Sequence, residues 1–165
     1  KAAALRTGLI DALQVGQSEQ RASESTAPAI VEPSRPMRIL VAEDTVVNQV
    51  VIRRMLDRLG YAADIVASGT EALAALAARP YDLVFMDMQM PDMDGLEATR
   101  RIRRLEEDRG NIPVQVIALT ANVSPEDRAA CFEAGMNSFL GKPLRIDELR
   151  TVLRAAAAGM AEPAV

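Results

Sequence analysis

Five polar residues in this sequence each come directly after, or within two residues of, a short apolar run. Glu43 and Asp44 follow Met37–Ala42, Asp87 follows Leu83–Met86, Thr120 follows Val114–Leu119, and Lys142 follows Ser138–Leu140. Three carboxylates brought together repel and do not all stay ionised without a cation. A hard divalent ion with oxygen ligands relieves that repulsion. Mg²⁺ suits the set, because it takes a few carboxylates, some waters and a phosphate oxygen. A carboxylate is also a nucleophile toward phosphorus and gives an aspartyl phosphate. The metal, Lys142 and Thr120 would then neutralise and hydrogen-bond the transferring oxygens. Taken singly, these residues have plainer readings. Glu43-Asp44 reads as a helix cap, Asp87 as a turn residue before Pro91, Thr120 as ordinary, and Lys142 as a solvated charge. Their joint placement after four separate runs argues for a site. Asp92 and Asp94 read as structural, a turn and a helix N-cap, and Cys131 as a small helix hydrophobe.

The elements that must position these residues alternate between strand-like and helix-like patterns. Met37–Ala42, Asp64–Ala67, Leu83–Met86, Val114–Leu119 and Ser138–Leu140 read as strands. Val46–Leu59 has helical spacing through Val47, Val50, Val51, Met55 and Leu59, and stops at Gly60. Ser68 and Glu71 form a capping box for a helix over Gly69–Ala78, and Asp94 and Glu97 another over Gly95–Leu105. Ser124-Pro125 opens a helix to Ala134 with proline at the favoured first position. Ile146–Ala158 closes the series, with Leu149, Val152 and Leu153 on one face. Near-continuous apolar strands alternating with helices predict a parallel sheet covered on both faces. Ligands of such sheets bind beyond the carboxyl ends of the strands, where strand order reverses. That is where all five polar residues fall.

Composition excludes several function classes. The chain has 165 residues and a formal net charge of −4, which argues against nucleic acid as a direct partner. It has no histidine, so His-based metal sites and Ser-His or Cys-His catalysis are absent. A single cysteine fits a reducing cytoplasm. No apolar run is long enough to span a bilayer, so no membrane contact is expected. The first residue is Lys, which suggests a piece of a longer protein. Residues 2–15 carry a partial apolar stripe (Leu5, Ile10, Leu13), a short helix or a disordered tail. Residues 16–36, rich in Ser, Glu, Gln, Ala and Pro, read as a flexible linker.

Four segments together carry a family resemblance: Ile39–Asp44, Asp82–Gly95, Ala118–Asn122 and Gly141–Leu144. The sequence from about Met37 to Ala158 resembles response-regulator receiver domains of two-component systems. The resemblance implies an α/β, flavodoxin-like, doubly wound five-stranded parallel sheet in the order 2-1-3-4-5, with helices on both faces. It implies a division into a linker (1–36), a receiver domain (37–160) and a tail (161–165). Asp87 would accept the phosphoryl group. Glu43, Asp44, Asp87 and the backbone carbonyl of Gln89 would hold Mg²⁺. Thr120 and Lys142 would contact the phosphoryl group, and the Lys142-Pro143 bond would be cis. Thr120 and Phe139 would form the conformational switch, although Phe139 lacks the hydroxyl of the tyrosine often found there. Gln89 and Asn122 would tune dephosphorylation. Residues 125–158 would form the signalling face.

The Glu43-Asp44 pair followed by Asn48, and the stretch Met88–Gly95, look like the C-terminal receiver of a hybrid sensor histidine kinase, although Thr45 departs from the asparagine often found there. Implied partners are a phosphohistidine-bearing kinase or phosphotransfer domain, with a weak homodimer as a further option. Such a fragment would catalyse only its own phosphorylation and slow dephosphorylation, in the cytoplasm, from a parent that could be membrane-anchored. The rivals are a stand-alone regulator, a Mg²⁺-dependent phosphatase with an aspartate nucleophile, and a binding module that has lost phosphorylation. The phosphatase would need a second acid two residues past the nucleophile, where this chain has Gln89.

Overall fold

The computed structural model describes residues 35–161. The expected helix over residues 2–15 and most of the linker therefore lie outside the described residues, as does the end of the tail. Ten elements alternate along the described residues. They are β1 (Ile39–Ala42), α1 (Val46–Arg58), β2 (Ala63–Val66), α2 (Gly69–Ala78), β3 (Leu83–Asp87), α3 (Gly95–Arg109), β4 (Gln115–Thr120), α4 (Pro125–Glu133), β5 (Ser138–Gly141) and α5 (Ile146–Ala161). The five strands form one sheet in the order β2-β1-β3-β4-β5. Every pairing in it is parallel.

Alternation within the strands builds two cores. Leu40, Ala42, Val84, Met86, Val116 and Ala118 point to one face, where α2, α3 and α4 supply Ala72, Ala98, Ile102 and Cys131. Ile39, Val41, Leu83, Phe85, Ile117 and Leu119 point to the other, where α1 and α5 supply Ile52, Leu56, Leu149 and Leu153. Burying both faces of β1, β3 and β4 accounts for their near-unbroken apolar runs.

Three differences from the sequence reading have physical causes. The apolar spacing read over α1 is split between water and core: Val47, Val50 and Val51 are exposed, Met55 and Leu59 pack against the core, and Ile52 and Leu56 are fully buried. This helix has apolar residues on two sides, and periodicity does not say which side meets the sheet. α3 runs past Leu105 to Arg109 and ends where Gly110 adopts a left-handed φ of 62°. Its last turn is charged and carries no apolar spacing. β1 starts at Ile39 because Arg38 turns its N–H to the Asp82 carboxylate, at 2.7 Å. Asp82 also accepts from the Arg35 guanidinium, at 2.8 Å for one of the two bonds. No helix among the described residues is long and apolar enough to cross a membrane.

Candidate functional site: an acidic cleft at the strand ends

Strand register sets the site. Ala42 lies opposite Met86, Asp87 opposite Leu119, and Thr120 opposite Gly141. The strands finish level, so the residues that follow them emerge along one edge. Strand order reverses between β1 and β3, which opens the crevice that such sheets use for ligands. Glu43, Asp44 and Asp87 come together there, each offering a carboxylate oxygen within 4.8 Å of the others. Glu43 is 1% exposed and Asp87 3%, whereas Asp44 is exposed.

Lys142 reaches into this cluster. Its Nζ lies 2.8 Å from Glu43 Oε2 and 2.9 Å from Asp87 Oδ1. Buried carboxylates this close need such a partner, since an uncompensated buried charge is costly. Burial penalises the charge on Glu43, but hydrogen bonds from Lys142, Asn48 and Thr45 outweigh it and hold the Glu43 carboxyl below its ordinary range. Asp87 goes the other way. Burial, aided by the nearby Glu43 charge, pushes its carboxyl up despite bonds from Lys142 and the Gln89 N–H. Burial works against the Lys142 ammonium, and its two carboxylate partners more than restore it. The Lys142-Pro143 peptide is cis.

The plain reading of Glu43-Asp44 as a helix cap does not account for this geometry. Thr45 is the N-cap of α1, no side chain caps it, and its first turn has no acid. The Glu43 carboxylate instead accepts from the Thr45 N–H at 3.1 Å and from Asn48 Nδ2 at 3.2 Å, which fixes its orientation. Asn48 thus holds Glu43 in place from one turn away. The donor set is all oxygen, three carboxylates deep, with a water-accessible side at Asp44. These residues fit Mg²⁺.

The remaining expected residues line the same cleft. Thr120, Gln89 and Asn122 border it together with Asp44, Asp87 and Lys142. The Thr120 hydroxyl donates to the Asn122 carbonyl at 2.6 Å and accepts from the Asn122 N–H at 3.1 Å, so the β4–α4 loop holds it. Phe139 stands apart from the acids. It packs on the α2–α4 side, edge-on to Phe132 at 6.4 Å between ring centroids, with the Arg128 guanidinium 4.7 Å from its own centroid.

Gly95 brings α3 against the acceptor strand. A β-carbon there would stand 2.4 Å from the Asp87 carbonyl oxygen. Asp94 caps this helix by accepting from the Glu97 N–H at 2.7 Å, as its sequence position predicts. Asp92 does more than turn the chain. Its carboxylate accepts from Thr70 Oγ1 at 2.7 Å and from the Thr70 N–H at 3.0 Å. These bonds hold the Asp92 carboxyl down at about 2. Twenty-two residues separate the partners, so local sequence carries no signal for this contact.

Known proteins resemble this chain in sequence and fold. The chain is 37% identical over 128 residues to hybrid signal transduction histidine kinase K of Dictyostelium discoideum, covering 75% of this chain and 11% of that protein. It is 37% identical over 120 residues to sensor histidine kinase GacS of Pseudomonas protegens, covering 73% and 13%. It thus spans a small part of these relatives. Among solved structures, the receiver domain of a sensor histidine kinase from Pseudomonas aeruginosa, with a magnesium ion coordinated in its active site cleft, is 42% identical with a TM-score of 0.67, covering 75% of this chain and 99% of that one. A chain from the co-crystal of the Saccharomyces cerevisiae phosphotransfer protein Ypd1 with the receiver domain of Ssk1 aligns with a TM-score of 0.74 at 29% identity, covering 80% and 94%. The family profile for the response regulator receiver domain matches residues 39–154, and the chain belongs to that family.

Proposed function

We propose that Asp87 accepts a phosphoryl group from a phosphohistidine on a partner, with Mg²⁺ held by Glu43, Asp44, Asp87 and the Gln89 carbonyl. One observation carries the reading: Lys142 and two buried acids from three different strand ends meet within 2.9 Å, at the mouth of the sheet. When bound, Mg²⁺ would supply positive charge to the phosphoryl oxygens. The chain's own groups do the rest. One oxygen of the Asp87 carboxylate attacks phosphorus as the bond from phosphorus to the donor nitrogen breaks. Lys142 is free to shift from its carboxylates toward the new phosphoryl oxygens. Thr120 turns its hydroxyl from Asn122 toward the same group.

The relatives that are kinases, and the neighbour solved with Ypd1, support a phosphorelay setting and a histidine phosphotransfer protein as the kind of partner. An exposed apolar face beside the cleft supports it too. Val46 and Val47 are 69% exposed, and Val50 and Val51 are exposed beside them. These four residues share one side of α1, which starts two residues after Asp44. We further propose that the chain acts as the receiver part of a hybrid sensor histidine kinase.

Incubation with Mg²⁺ and a small acyl phosphate tests the core claim. The expected result is a single labile adduct that Asp87→Asn abolishes. An adduct that persists in Asp87→Asn, or its absence in the unaltered chain, would overturn the claim.

A further inference from the structure

We propose that Asp92 is a positioning residue for the metal-binding loop, clasping residues 88–94 to the N-terminus of α2 so that Mg²⁺ binding is registered there. The inference rests on the Mg²⁺ reading above. The clasp has three bonds beyond any chain neighbour: Oδ2 accepts from the Thr70 hydroxyl and N–H, and Oδ1 from the Gly69 N–H at 3.3 Å. The loop lies flush on the helix start, where a β-carbon at Gly69 would stand 3.1 Å from Met93 Cβ.

α2 has local cap bonds of its own. Ser68 Oγ accepts from the Glu71 N–H at 3.1 Å, and Glu71 Oε2 accepts from the Ala67 N–H at 2.8 Å, which leaves the Gly69 and Thr70 N–H groups to another acceptor. Asp92 takes these two N–H groups and the Thr70 hydroxyl from the neighbouring loop, which ties that loop to the helix start. Its other end is already fixed: Gln89 donates its N–H to Asp87 Oδ1 at 3.2 Å, and Gly95 donates to the Met88 carbonyl at 3.1 Å. Between Gln89 and Asp92 lie only Met90, which is buried, and Pro91, which is exposed. Proline locks its own φ and restricts the residue before it, so this link is stiff. A shift of the Gln89 carbonyl onto a metal is thus passed to Asp92, and from Asp92 to Gly69 and Thr70.

Calorimetric Mg²⁺ titration, paired with amide NMR shifts of Gly69 and Thr70, tests this on the full chain. In the unaltered chain, Mg²⁺ moves both amides. Asp92→Ala is expected to raise the Mg²⁺ Kd by about threefold to tenfold, less than the roughly 10–100-fold typical of a group bonded directly to a ligand. It also removes the Mg²⁺-dependent shifts at Gly69 and Thr70. Thr70→Val keeps the backbone bond and moves the Kd the same way by less. A lower Tm with unchanged Kd, in either variant, overturns the proposal and leaves Asp92 a structural cap. An unaltered chain that binds no Mg²⁺ overturns it together with the metal reading, which labelling of Asp87 checks separately.

Discussion

Asp87 is both the proposed nucleophile and a group that the fold holds at a cost. Its carboxyl is raised by burial and by Glu43. A carboxyl whose folded pKa lies above its unfolded one favours the folded state only while protonated. That contribution fades as pH rises from the unfolded value through the folded one, and at neutral pH the ionised group destabilises the fold. Asn in its place can still accept from Lys142. Asp87→Asn should therefore raise the metal-free Tm by a few degrees at pH 7, with the gain shrinking toward the acid end of that window. Thermal unfolding followed across pH checks this; a lower Tm at neutral pH would contradict it. Glu43 has the opposite sign, because its lowered carboxyl contributes stability that is lost as pH falls. The identities of Asp87, Glu43, Asp44, Thr120 and Lys142 were legible from their places after apolar runs. The split between two neighbouring acids was not, because it depends on how many donors surround each one.

At the scale of elements, the loop and helix starts carry the precision. Gly95 sits where the first turn of α3 touches the carbonyl of Asp87, and a β-carbon would also come within 3.0 Å of Met88 Cα. Backbone on both sides leaves little room to yield. Gly95→Ala should cost about 1–3 kcal/mol in urea unfolding through overpacking. It should also slow acyl-phosphate labelling by about tenfold or more, since displacing an attacking group is expensive. Gly110 is the contrast. It has a left-handed φ with nothing near its missing side chain. Gly110→Ala should therefore cost about 1 kcal/mol and leave labelling alone. Equal labelling rates in the two variants would refute the close-approach argument. The side-chain caps at Ser68 and Asp94 were readable because they are local, but the expected reciprocal bond from Glu97 is replaced by its pairing with Arg101. The clasp from Asp92 to Thr70 and the last turn of α3 were not. One joins distant segments, and the other depends on a glycine placed after a wholly charged stretch.

Over the whole molecule, the two-faced core was legible from five apolar runs separated by helical ones, whereas the strand order was implied only by the family resemblance. Which side of α1 meets the sheet was not legible, because Val47, Val50 and Val51 share helical spacing with Met55 and Leu59, which pack on the core. The exposure of the three valines next to the cleft leaves an apolar ledge where the proposed phosphohistidine carrier would approach. Val47→Glu with Val50→Glu should reduce transfer from a histidine phosphotransfer protein by about tenfold or more, since a few apolar anchors dominate such contacts. Labelling by a small acyl phosphate should not change, because that donor needs no ledge. Transfer at the unaltered rate would exclude α1 as the landing surface.

The lysine bridge described at the cleft also sets an electrical balance. With all groups ionised, three carboxylates at −3 and one ammonium at +1 leave −3 + 1 = −2. One divalent ion cancels that residue, whereas one sodium or potassium ion leaves half of it. On the proposed metal reading, the pocket would therefore favour a divalent ion by charge before any question of radius arises. Once filled, it is neutral, so an incoming dianionic phosphoryl group meets no net repulsion from the groups that must hold it.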